Sequence, residues 1–333
     1  MSRIKLFLIL TLLIWLAHPF AAVDADVAGG RLGLQPPNTI VDQAGRRIVV
    51  GTPFQRVISL YGAHTENLFS LGLIDEIIGV SQHEDFPPQA MSKPVFSYHD
   101  DPEKFIAARP DLVLIRPMID RGYPQFVAML EASGIVVISL QPATVDDMFI
   151  YWEILGILTG KQERALGLIS RFKRSISDFK DLADARLDKK RVYFEAIHSK
   201  MKTFAPDSMA VFALETAGGI NIAVDAEPVR KTNIAYYGKE RILSHAAEID
   251  VFLAQSGAMN RPTVSMIKNE PGFHVIKAVR HDQIYIIEEQ IVSRPTMRLL
   301  EGIYHIGRIL YPTDFDKKAT AILRQAKGLN IEN

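Results

Sequence analysis

Apolar positions along this chain change rhythm at regular intervals, and each change predicts an element. Ile40 and Val41, then Ile48, Val49 and Val50, flank Asp42-Gln43-Ala44-Gly45, which predicts a hairpin with its turn at those four residues. Arg56-Val57-Ile58-Ser59-Leu60 follows as a buried strand, and residues 65–73 carry Leu68, Phe69, Leu71 and Leu73 at helical spacing. The alternation recurs as a strand at 77–80, a helix at 102–108, a strand at 111–115, a helix at 124–133 and a strand at 135–138. Helices are predicted at 145–158 and from about 162 to 185, and at 1.5 Å per residue the second would reach about 35 Å, enough to cross between two lobes. The second half repeats the logic: strands at 191–195, 250–254 and 283–287, and helices at 209–217, 264–269, 296–310 and 316–327. Strands separated by helices predict an α/β fold whose parallel sheets are covered on both faces. Trp152, Leu155, Phe172 and Phe179 form an apolar stripe on the two central helices and are read as packing. The pattern is that of two similar α/β halves joined by one long helix.

The ends change the picture of where such a fold would work. Arg3 and Lys5 precede an unbroken apolar run from Leu6 to Leu16, which predicts a cleavable secretory signal over residues 1–25. The run stops at His18-Pro19, short of what a hydrocarbon core of about 30 Å requires, and a retained anchor is the alternative. Residues 26–38, with Gly29-Gly30 and Pro36-Pro37, are expected to be a leader that does not pack. The 333 residues contain no cysteine, so disulfides, thiolate metal sites, cysteine nucleophiles and a lipid-bearing cysteine are all excluded. Of 38 basic and 38 acidic residues the signal holds two and one, which leaves a mature chain near −1 with no call on nucleic acid. About 300 mature residues, with 48% hydrophobic content over the whole chain, exceed one ordinary core and fit two lobes.

Several short motifs, in order, resemble a known family. They are Arg56-Val57-Ile58-Ser59-Leu60 with Thr65-Glu66 and Leu71-Gly72, then Ile78-Gly79-Val80-Ser81, Arg109-Pro110-Asp111-Leu112-Val113-Leu114, Leu155-Gly156 before Thr159-Gly160-Lys161, and Gly218-Gly219-Ile220-Asn221. Over about residues 39–312 the chain resembles the periplasmic binding proteins of importers for iron-siderophores, haem and cobalamin. The segment from Val80 to Ala90 looks most like the cobalamin-binding members. The resemblance implies two Rossmann-like lobes with parallel sheets joined by a long rigid interlobe helix and a ligand cleft between them. It divides the chain into an N-terminal lobe at 39–144, interlobe helices at 145–187 and a C-terminal lobe at 188–333. It also implies the partners: a permease dimer and its ATPase in the inner membrane, with a chelate as transported ligand. No permanently bound cofactor is expected, and a monomer is.

In that family a glutamate on each lobe pairs with arginines of the membrane subunits, and the matching positions are Glu103 and Glu240. A carboxylate opposite a guanidinium gives a directional contact suited to docking. The alternative for Glu103 is a helix-start glutamate favoured by the helix dipole.

Loops at the carboxyl ends of parallel strands line the cleft of such folds. They supply Tyr61 and His64, His83 and Phe86, Tyr98 and His99, and Arg116 from the first half, and His198, Tyr236, Tyr237 and Arg294 from the second. Aromatic faces suit a flat macrocycle and guanidinium groups suit carboxylates on a chelate. Cobalamin-binding members carry an aromatic residue at both the His83 and Tyr98 positions, so His83 departs from that pattern. Tyr98, His99 and His83 are the candidates for direct metal ligation, with hydrogen-bonded surface roles as the alternative. Arg116 either meets substrate or pairs with Asp120. Two rival functions remain. One is a receptor for a bare divalent cation, which needs three or more converging histidines and carboxylates, to which His64-Thr65-Glu66 and His83-Glu84-Asp85 could contribute. The other is a chelatase-like enzyme, against which stand the missing cysteines, Walker loop and nucleophile elbow.

Overall fold

The computed structural model describes residues 32–35, 38–229, 232–313 and 315–327. The signal at 1–25 and most of the leader lie outside the described residues. Part of the leader does pack. Gly33–Gln35 (β1) pairs antiparallel with Thr39–Val41 (β2), which pairs with Arg47–Val49 (β3), and Leu32 joins the main core. The hairpin turn is closed by Asp42, whose Oδ1 accepts from the amides of Ala44 and Arg46.

The N-terminal lobe holds Val57–Ser59 (β4), Ile77–Val80 (β5), Leu112–Ile115 (β6) and Val136–Ser139 (β7) in one parallel sheet, ordered β5-β4-β6-β7. β4 and β6 are buried at every position, as a strand covered on both faces must be. The C-terminal lobe centres on Arg191–Ile197 (β8). Its neighbours are Lys202–Phe204 (β9) and Ile220–Asn221 (β10), then Glu227–Pro228 (β11), Ile234–Tyr236 (β12), Val251–Ser256 (β13) and Ile284–Glu288 (β14). The path is β11-β12-β9-β8-β13-β14, with β10 beside β8. β8, β10, β13 and β14 run parallel, while β9 pairs antiparallel with both β8 and β12, so this sheet is a parallel core extended by antiparallel strands. β9 and β12 have three residues each, too few to display a period.

One aspartate in each lobe marks the correspondence between the sheets. Asp111 precedes β6 and accepts from the amides of Gln55 and Arg56, which lead into β4. Asp250 precedes β13 and accepts from the amide of Arg191 at the start of β8.

The helices Val145–Thr159 and Gln162–Asp184 join the lobes. Thr144 caps the first through the amide of Asp147, and Gly160 ends it in the left-handed conformation. The second, of 23 residues, begins against the N-terminal lobe, where Arg164 Nη1 donates to the Leu71 carbonyl. It ends against the C-terminal lobe, where Phe179 stacks on Phe315 at 6.1 Å between centroids. Trp152, Phe172 and Phe179 are fully buried in a core that runs through both helices into both lobes. Among the described residues no helix is long and apolar enough to cross a membrane.

The helix predicted from 296 begins at Leu299. The preceding segment is committed elsewhere: the Pro295 carbonyl accepts from Asn67 Nδ2 at 2.9 Å and from Trp152 Nε1 at 3.2 Å.

Candidate ligand cleft

The carboxyl ends of the two sheets face each other, and side-chain bonds cross the seam. Gln290, two residues beyond β14, donates to Asp85 in the loop after β5, and Arg294 Nη1 meets Glu66 Oε1 at 3.0 Å. The strand-end loops of the two halves therefore meet at a shared seam.

On the N-terminal side Tyr61 follows β4 and Arg116 follows β6. The Arg116 guanidinium lies 4.6 Å from the centre of the Tyr61 ring. Its Nη2 donates to Met118 Sδ at 3.2 Å, its Nε has no partner, and no carboxylate pairs with it among the described residues. The alternative pairing with Asp120 does not form, because Asp120 is bound by Arg46 together with Asp42 and Glu131. Burial pushes the Tyr61 phenol up to about 12, so it stays protonated and acts as a ring surface and hydrogen-bond group. In the same half of the chain Tyr98, His99 and Tyr123 form a three-ring cluster, with centroids 4.4 to 5.1 Å apart. His83 is exposed and holds φ of 62°, a left-handed turn that sends the next side chain, Glu84, inward. Phe86 lies at the seam, under the guanidinium of Arg298 at 4.3 Å.

His64 is withdrawn from the ligand set. It is fully buried, with Nδ1 accepting from the Tyr151 hydroxyl at 2.7 Å and Nε2 donating to the Ile115 carbonyl at 3.1 Å. Burial lowers it to about 3, so it is a neutral core histidine with both nitrogens engaged.

The C-terminal side carries groups that already have partners. His198 Nδ1 meets Glu195 Oε2 at 3.0 Å in a nearly buried pair, and the His198 amide donates to Asn260. The bond to Glu195 raises His198, and burial raises Glu195. Lys239 is paired with Glu270, and Glu289 accepts from the Ala258 amide. Arg294 is engaged with Glu66 rather than open to a ligand. Tyr237 is buried beneath Arg241 in the lobe's own core and is also withdrawn from the cleft. Tyr236 is exposed, with Lys202 Nζ 4.4 Å from its ring centre, at the end of β12 that points the same way as the carboxyl end of β8.

Glu103 and Glu240 occupy matching places, each exposed in the first turn of a short helix that leads into a central strand. Neither makes an ion pair among the described residues. Asp101 caps the Glu103 helix through the Glu103 amide, so dipole and cap fix that helix start independently of what the glutamate side chain meets.

A family model described as periplasmic binding protein matches residues 57–291. The chain belongs to that family. This periplasmic binding protein is similar to an uncharacterized ABC transporter substrate-binding lipoprotein, YvrC of Bacillus subtilis, at 23% identity over 84% of this chain and 87% of the relative. It is similar to the vitamin B12-binding protein of Vibrio cholerae at 24% identity, covering 76% of this chain and 88% of the relative. Among solved structures it matches a possible iron-binding, periplasmic solute-binding protein from Staphylococcus epidermidis at a TM-score of 0.68 and 25% identity, over 78% of this chain and all of the other. The family resemblance and the two-lobed α/β fold read from the sequence are thus borne out, and the relatives are binding proteins of transport systems.

The sequence did not single out two residues of this periplasmic binding protein that the structure brings into ring contacts here, Tyr123 and Arg298. Tyr123 carried a signal, an aromatic residue at a break between two proline-started helices, Pro117–Gly122 and Pro124–Ala132. Glu66 and Glu84, offered by the sequence as ligands for a bare cation, are both buried, and Glu66 is paired with Arg294 from the opposite lobe. Among the described residues no three His, Cys, Asp or Glu side chains converge, so Tyr98, His99 and His83 do not belong to a ready cation cage.

Proposed function

We propose that this protein captures an anionic metal chelate, an iron-siderophore or haem ahead of a corrinoid, and presents it to the permease dimer and ATPase of an ABC importer. The observation that carries the reading is Arg116: a guanidinium laid on the Tyr61 ring, without a carboxylate partner among the described residues, in the same half of the chain as the ring cluster of Tyr98, His99 and Tyr123. Such a group binds a ligand carboxylate or phenolate in a charge-assisted bond, while the rings cover a flat or aromatic ligand. Relatives named for vitamin B12 and for iron support a chelate as cargo. Tyr98 and His99 remain the candidates for reaching the metal of a chelate directly, by residue type and strand-end position. The Bacillus relative is named a lipoprotein, whereas this chain has no cysteine to carry a lipid and would work free in the periplasm after loss of residues 1–25.

An absorption spectrum with native mass spectrometry of the protein purified from its own periplasm tests the cargo. A Soret band, a siderophore charge-transfer band or a corrin spectrum is expected; a protein that titrates with free zinc or manganese and with none of these chelates overturns it. Docking through Glu103 and Glu240 is tested by replacing both with alanine. Uptake by the intact importer is expected to fall at least tenfold with chelate affinity unchanged, because each charge-assisted contact is worth about 1.5–3 kcal/mol. Unchanged uptake removes docking from both residues.

A further inference from the structure

Arg46 stands at the end of the hairpin turn and gathers three carboxylates. Its Nη1 meets Asp42 Oδ2 at 2.9 Å, its Nε meets Glu131 Oε1 at 2.6 Å, and its two terminal nitrogens take both oxygens of Asp120. The three acids depend on it unequally. Asp42 also accepts from the amides of Ala44, Arg46 and Ser139, and Glu131 is 42% exposed, so water can serve it. Asp120 is 14% exposed, and among the described residues every bond its carboxylate makes is to Arg46. Asp120 also lies one helical turn beyond Arg116. Arg116 starts the helix Pro117–Gly122, and its carbonyl accepts from the Ile119 amide at 2.8 Å and from the Asp120 amide at 3.5 Å. Side chains four apart on a helix are neighbours, and an acid and an arginine at that spacing pair when neither is held elsewhere. Arg121, the next residue, is turned about 100° away around the helix. The Arg116 guanidinium, part-buried with its Nε unpartnered, is open to such a pairing.

We propose that Arg46 is a positioning residue for the ligand site: by holding both oxygens of Asp120 it keeps that acid off Arg116 and leaves the guanidinium on the Tyr61 ring free for a ligand. The proposal rests on the reading of Arg116 as the ligand's partner. Arg46 itself touches no ligand and acts only through Asp120. A largely buried carboxylate that loses its cation recruits another, because an uncompensated charge in that setting is costly. Without Arg46, Asp120 therefore turns to Arg116, and a ligand must compete with an acid built into the chain. The free fraction of Arg116 falls, and apparent affinity falls in proportion.

Phenylglyoxal labelling read by peptide mapping reports how free Arg116 is with no ligand present, and haemin titration followed by absorption reports binding. R46Q is expected to slow Arg116 labelling and to weaken haemin binding by about fivefold each, the effect of a partly exposed ion pair. R46Q/D120N is expected to restore both to wild type, which a damaged hairpin would not allow. Circular dichroism checks that each variant is folded. If R46Q does not fold, R46K decides: one ammonium does not hold Asp42 and both Asp120 oxygens together, so a loss of about twofold that D120N restores is expected. Arg116 labelled at the wild-type rate in the Arg46 variant, or a slowed rate that D120N does not restore, overturns the positioning role. Haemin binding that is absent, or that R116A leaves unchanged, counts against the reading of Arg116 as the partner of haemin; labelling still decides whether Arg46 keeps Asp120 off Arg116.

Discussion

His64 and His198 follow the first strand of the parallel core in their respective lobes, yet the two imidazoles are in opposite states. His64 is buried between Tyr151 and the Ile115 carbonyl with no charge to balance a proton, and is held neutral. His198 lies against the buried Glu195 carboxylate, which favours the imidazolium. The difference extends to the walls around them. The N-terminal wall spends its histidine on the core and leaves Arg116 without an acid partner among the described residues, while the C-terminal wall pairs His198 with Glu195 and Lys239 with Glu270. A common strand-end position therefore says little about role; the charge of the nearest neighbour decides it.

The largest effect that tests this contrast is the acid response of His64. Its native value of about 3 lies below the ordinary 6.5, so the unfolded chain takes up the proton first and stability is lost as pH falls from 6.5 towards 3. The loss by pH 3 is on the order of 4 kcal/mol. Chemical unfolding at pH 7 and pH 4 is expected to show a smaller difference in H64Q than in wild type; an equal difference means that His64 is protonated in the fold.

His198 should behave in the opposite sense. Its native value is raised, so its contribution is complete below the ordinary value and is lost as pH rises through the raised one. H198A leaves Glu195 buried without its partner and is expected to cost about 3 kcal/mol of unfolding free energy. The cost should be greater at pH 5 than at pH 9. A cost growing with pH would put His198 in the same class as His64.

The walls are compared by two further substitutions. R116A is expected to weaken chelate binding by about tenfold to a hundredfold, the value of one charge-assisted hydrogen bond, with unfolding stability changed by less than about 0.5 kcal/mol. Y236A, on the C-terminal wall, removes an exposed ring supported by Lys202 and is expected to change affinity by less than about threefold, within the range of an exposed cation–π contact. Calorimetry with the chelate identified from the native protein measures both. A larger loss from Y236A than from R116A would reverse the assignment of selectivity to the N-terminal lobe.

Much of the scaffold was legible because its signals are local. The helix from Val264 to Asn269 and the strand from Ile77 to Val80 begin and end where their apolar spacing and flanking residues say they should. Strands β9 and β12 were not legible, being shorter than one period of alternation, and β1 was hidden by neighbouring glycines and prolines that read as a leader. In the cleft, residue type and strand-end position were enough to nominate Arg116, Tyr61 and Tyr98. They were not enough to separate these from His64 and Tyr237, whose side chains turn into the core, or from Arg294, whose partner is 228 residues away in sequence.

The alternation of strands and helices, the long helix between two halves, the absence of thiol chemistry, and the loops that could supply a binding site are all written in the order of residues along the chain. These follow from periodicity and composition, which neighbouring residues settle among themselves. Which strand-end side chains remain available is set by contacts that form on folding. Asp120 is taken by Arg46, Arg294 by Glu66 and His198 by Glu195, and Arg116 is left without an acid among the described residues. Partnership between charges depends on distance in space, and the folded chain brings together groups whose separation along the sequence carries no trace of it.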